Sequence, residues 1–82
     1  MTDLTTKTHF DAFVRLAQWQ ADGDGTTIVV IGTDPERATQ PSNLFHGRRL
    51  GDHTNLNDGQ TVLAFIRPNE NIELTDAGRE VK

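Results

Sequence analysis

The sequence has no cysteine and no tyrosine, one methionine and one tryptophan, and no apolar run longer than five residues. Without cysteine there is no disulfide framework, no thiolate nucleophile and no thiolate metal site, and nothing ties the chain to an oxidising compartment. Runs as short as Ile28-Val29-Val30-Ile31 cannot span a bilayer, and the first ten residues lack a basic stretch followed by an apolar one. The expectation is a cytoplasmic protein with no membrane association. Length is also scarce: a chain of 82 residues buries roughly 60% of its unfolded surface, enough for one modest core without a deep substrate cleft. Basic residues are outnumbered, eight against twelve acidic, for a net charge of −4. They are also unevenly placed: residues 1–34 carry net −3, residues 35–50 net +2 and residues 51–82 net −3. Segment 35–50, with Arg37, Arg48, Arg49 and His46, is therefore either a local anion-facing patch on an acidic body or a solvated loop.

One domain over residues 1–82 is expected, with 1–7 polar and disordered. Phe10, Phe13, Val14 and Ala17 follow the spacing of one helical face, and Thr8 with Asp11 has the form of a capping box, which predicts a helix over 9–20. The run Asp22-Gly23-Asp24-Gly25 ends it as a turn; the closing glutamate of a calcium loop is missing. Trp19 is read as a residue at the edge of the core on this helix, with a protein contact as the other reading. Thr26 to Ile31 is β-branched throughout and predicts a strand buried on both faces.

From Pro35 to Leu50 two short helices are possible, one over 35–39 and one starting at Thr39-Gln40-Pro41-Ser42, although Gly47 weakens the second. Gly51 to Gln60 reads as a polar loop. Thr61 to Arg67 alternates, with Val62, Ala64 and Ile66 on one face and Leu63 and Phe65 on the other. With the turn Pro68-Asn69-Glu70-Asn71 and the pair Ile72 and Leu74, residues 61–75 form the clearest hairpin. Thr75 then caps a short helix over 76–81.

The order helix, strand, short helices, hairpin is that of a small α+β winged helix-turn-helix. Phe10-Asp11-Ala12-Phe13-Val14-Arg15-Leu16-Ala17, Thr39-Gln40-Pro41 followed by Arg48-Arg49-Leu50, and Ile72-Glu73-Leu74-Thr75-Asp76-Ala77-Gly78-Arg79 resemble, in that order, the first helix, the recognition helix and the strand leaving the wing of the LysR-type N-terminal DNA-binding domain. The resemblance covers under half of the chain. It implies a transcriptional regulator that binds double-stranded DNA as a homodimer. Gln40, Ser42 and Asn43 would face base edges, His46, Arg48 and Arg49 would lie near the backbone, and Arg67 would stand at the base of the wing.

A second resemblance uses the same segment. Leu44-Phe45-His46-Gly47-Arg48-Arg49-Leu50-Gly51-Asp52, with Leu56 and Asp58-Gly59-Gln60-Thr61-Val62, is similar to the later strands of ubiquitin-like β-grasp domains, where the glycine permits a tight turn. It implies a non-enzymatic protein-interaction module, an inhibitor or adaptor of the kind that mobile elements encode, meeting a partner protein through an acidic surface. The two separate at residues 39–50: a helix favours DNA reading and a strand with a turn at Gly47 favours the interaction module.

No catalytic set stands out. His9, His46 and His53 match no usual zinc spacing, and Gly32-Thr33-Asp34 after the strand lacks the length and the lysine of a phosphate loop. Neither an enzyme, a metal nor a cofactor is expected. On the DNA reading, Arg48→Ala or Arg49→Ala should weaken binding to every duplex and flatten its salt dependence, whereas replacing Gln40 or Asn43 should change sequence preference; electrophoretic shifts at two salt concentrations measure both.

Overall fold

The computed structural model describes residues 6–34, 44–52 and 55–81. The predicted helices over 35–39 and from residue 39 fall largely outside them, as do Gln40, Ser42, Asn43 and His53. Among the described residues the architecture is α+β: one long helix packed on a four-stranded antiparallel sheet.

Helix α1 spans Thr6–Asp24, longer at both ends than the predicted 9–20, so Thr6 and Lys7 are helical rather than disordered. Its inner face is the expected one, with Phe10, Ala17 and Ala21 buried and Phe13 and Val14 packed beside them. Of the predicted stop signals, Gly25 ends the helix. It adopts φ +68° and donates its N–H to the Ala21 carbonyl at 2.8 Å, a left-handed cap that glycine enters without steric cost.

Strand β1, Ile28–Thr33, lies between β2, Phe45–Arg49, and β3, Gln60–Arg67; β4, Asn71–Leu74, completes the order β2-β1-β3-β4. Every neighbouring pair is antiparallel. The predicted hairpin is thus β3 and β4, and β1 is buried along Ile28–Ile31 as its apolar run requires. Residues 45–49, expected either as the end of a helix or as strand with a tight turn at Gly47, are extended but without the turn. They form a strand in which Gly47 sits mid-ladder opposite Val30. A Cβ at Gly47 would lie 3.3 Å from Ile28 Cγ2 and 3.6 Å from the Phe13 ring, so the missing side chain makes room for α1 to lay Phe13 over the sheet.

The two faces of the sheet are covered differently. Ile28, Val30, Ala64 and Ile66 face α1 in one cluster with Phe10 and Phe45, whose rings stand 5.5 Å apart. Val29 and Ile31 point the other way. Because β2 and β3 both run antiparallel to β1, the segment joining them must return the length of a strand. It leaves β2 through a 3₁₀ turn at Leu50–Asp52 and rejoins the sheet at the end of its inner strands, where the Asp34 N–H donates to the Gly59 carbonyl. Arg48, on the face of Val29, donates to the Asn55 carbonyl at 3.3 Å, which places this crossover on the far side from α1.

One departure from strict alternation is structural. The register of β1 on β3 slips between Val30 and Ile31, which pair with Ala64 and Val62. Leu63 is the extra residue of a β-bulge. It joins Ala64 on the α1 side and sends Val62 to the far face, reversing the expected pattern for both. Gly32 permits this, since a Cβ there would come within 2.6 Å of Leu63 Cδ1.

The chain closes with α2, Asp76–Arg79, capped by Thr75 as expected: the Thr75 hydroxyl accepts the Gly78 N–H at 3.1 Å and donates to the Val62 carbonyl at 2.7 Å. Gly78 lies directly on the Leu63 carbonyl, leaving no space for a Cβ. Gly78→Ala should therefore lower stability by about 1–3 kcal/mol, by overpacking or by lifting α2 from the bulge. In the opposite direction, Glu70 stands in the left-handed region at φ +61°, so Glu70→Gly should raise stability by up to about 1 kcal/mol. Urea denaturation of the two variants reads both signs.

Candidate functional site

Four of the seven residues proposed for DNA contact are described, and they do not form one array. Arg48 and His46 on β2 share the far face of the sheet with Phe65 and Arg67 on β3. Arg49 belongs to the α1 side, where it meets Asp24 at the end of the helix at 3.7 Å. The arginines of the far face are engaged: Arg67 pairs with Glu73 at 3.0 Å and lies 5.9 Å from the centre of the Phe65 ring, and Arg48 holds the Asn55 carbonyl. These contacts are solvent-exposed and weak, so a stronger anion can displace them, but the face carries Glu73 as well as cations.

A cavity of about 470 Å³ opens at the end of the sheet where β1 finishes, between Leu44, Leu63 and Val81, with Thr6, Thr33, Asp34, Gln60 and Thr61 as its polar members. The Thr33 hydroxyl is buried without a hydrogen-bond partner. Among the described residues no three His, Asp or Glu side chains converge in a way that could hold a metal ion.

The outer face of α1 is the surface that sequence reasoning underrated. Trp19 is 79% exposed and Leu16 62% exposed. Trp19 is not at the edge of the core: it points opposite to the face that carries Phe10, Ala17 and Ala21. The physical reason is helical phase, since Ala17 and Ala21 already occupy the buried stripe and Trp19 falls between them on the far side. Leu16 and Trp19, three residues apart on the helix, make one apolar ridge, with Ala12 and Gly23 extending it in both directions.

The helix beneath this ridge is held firmly. Gln18 Nε2 donates to the Arg67 carbonyl at 2.8 Å, and Asp22 Oδ1 accepts the Asn69 N–H at 2.8 Å, so the turn between β3 and β4 is bonded to the flank of α1. These contacts pin two side chains next to the ridge and leave the ridge itself in water. Arg15, beside it, makes no ion pair among the described residues.

No family model, no curated protein and no solved structure matches the chain. Among the described residues, no helix is long and apolar enough to cross a membrane.

The contrast between the two faces of α1 is measurable. Trp19→Ala should change stability by less than about 0.5 kcal/mol, whereas Phe10→Ala should cost about 3–5 kcal/mol. Chemical denaturation at low micromolar protein, followed by far-ultraviolet circular dichroism, tests the pair.

Proposed function

We propose that the protein is a small non-enzymatic interaction module, with the outer face of α1 as its binding surface and a protein as its partner. The exposure of Leu16 and Trp19 on a helix otherwise anchored to the sheet carries this reading. Tryptophan and arginine are the residues that most often dominate binding energy at protein interfaces, and Trp19 stands with Arg15 beside it on a rigid element that has little ordering entropy left to lose. The strand at 45–49 also supports an interaction module over a recognition helix, because it fixes the segment in a sheet edge. A net charge of −4 favours neutral or basic partners over polyanions. A cytoplasmic setting belongs to the same proposal, since a chain without cysteine gains nothing from an oxidising compartment.

A second reading, a winged-helix regulator that binds duplex DNA, is favoured by one observation: His46, Arg48 and Arg67 come from different strands yet share one sheet face, at the base of the hairpin that resembles a wing. On that reading phosphates would replace Glu73 and the Asn55 carbonyl as partners of the two arginines. Gln40, Ser42 and Asn43 would supply the base contacts.

A photo-crosslinking benzophenone side chain placed at Trp19, with one at the exposed Glu80 as control, separates the two in cells that express the chain. A discrete protein adduct from position 19 that is absent from position 80 is the expected result. Equal adducts from both positions, or none, would overturn the interaction surface. Salt-dependent duplex binding that Arg48→Ala weakens would move the conclusion to the second reading.

A further inference from the structure

We propose that the outer face of α1 pairs with the same face of a second copy, antiparallel, across a two-fold axis near residues 17 and 18. The inference rests on reading this face as an interaction surface and names its occupant. Ala12, Leu16, Trp19 and Gly23 are all exposed and follow one another at intervals of four, three and four, the spacing of alternating core positions in a helix pair. Their sizes run small, large, large, small, which is the same read from either end. An antiparallel copy therefore sets Leu16 against Trp19 of the second copy, and Ala12 against Gly23. The large side chains meet at the centre, and the small ones let the backbones close at both ends. A two-fold contact must be self-complementary in this way.

The charges beside the ridge point to the same arrangement. Arg15 and Asp22 lie on one flank of it, and in an antiparallel pair related by a two-fold axis that flank faces its own copy. Arg15 then stands opposite Asp22 of the second copy, and the contact occurs twice. Asp22 is already oriented by Gln18 Nε2 at 3.0 Å and by the Asn69 N–H, while Arg15 has no ionic partner among the described residues. In a parallel pair that flank would instead face the opposite one, which carries Gln20, so only the antiparallel arrangement brings Arg15 to Asp22 of the second copy.

A helix of 19 residues is about 28 Å long, and two such helices bury less than the roughly 800 Å² per partner of a standard interface. The dimer is accordingly expected to be weak, with a midpoint on the order of 10–100 μM.

Because the chain has no cysteine, the register can be read directly with Ala12→Cys and Gly23→Cys. Ala12 is exposed, and a Cβ at Gly23 meets nothing within 4 Å. In the antiparallel pair these two positions are opposed. Two copies of either one lie about 16 Å apart along the axis, beyond disulfide reach. An equimolar mixture at several hundred micromolar in a glutathione redox buffer should give the mixed disulfide at least tenfold over either homodisulfide. Dominant homodisulfides, or a statistical mixture, would overturn the proposal. By sedimentation equilibrium, Trp19→Ala should raise the dimerisation midpoint at least tenfold. Arg15→Asp and Asp22→Lys should each be monomeric alone and dimeric when mixed; failure of the mixture to pair while both remain folded would also overturn it. A statistical disulfide mixture together with a position-19 adduct to a different protein would remove the homodimer and leave the interaction surface standing, whereas no adduct would remove both.

Discussion

Between Ile28 and Ile31 the central strand exposes none of its side chains to water, and the rest of the molecule is arranged to make that possible. A strand that is apolar on both faces needs a neighbour along each edge and a cover on each side. The edges are supplied by β2 and β3. One side is covered by α1, which brings Phe10, Ala17 and Ala21 down on Ile28 and Val30. Because β2 and β3 run the same way, the segment between them must cross the sheet, and it does so on the side that α1 leaves open. Small residues set how closely the layers fit. Gly47 admits the Phe13 ring, Gly32 admits Leu63, and Gly78 rests on the backbone of the bulge that Leu63 creates.

Anchoring α1 this firmly also fixes what it turns outward. With the inner stripe filled by small alanines and by phenylalanine, the helix sits close to the sheet and its opposite stripe stands clear of the other described elements. Leu16 and Trp19 are left in water on a segment that cannot fold back to hide them. The bonds from Gln18 and Asp22 to the turn after β3 hold one flank of the ridge in a defined geometry. An apolar ridge with one ordered carboxylate beside it is the surface on which the proposed interaction rests. The cations of the sheet, in contrast, are divided between two faces and already hold carboxylates or carbonyls.

Local pattern made several elements legible from sequence. The phase of α1, the buried strand at Ile28, the hairpin around Pro68 and the Thr75 cap each depend on residues within a few positions of one another, so periodicity and turn chemistry report them. The segment around Gly47 was not legible as one strand, because glycine weakens helix and strand alike and the strand exists only through its ladder to β1, formed with residues thirteen to twenty-one positions away. Leu63 illustrates the same limit: strict alternation puts it on the wrong face, and the bulge that corrects it depends on Gly32, a residue distant in sequence.

For this protein the sequence by itself determined the α+β class, the helix and its inner face, the doubly buried strand and the closing hairpin, since hydrophobic period and capping act over a single turn or strand. The tertiary structure alone decided the sheet order, the strand at 45–49, the separation of Arg49 from Arg48 and Arg67, and the exposure of Trp19. Those follow from which surfaces compete for the same core: the alanines and Phe10 fill the space beneath α1, and the tryptophan is left outside it.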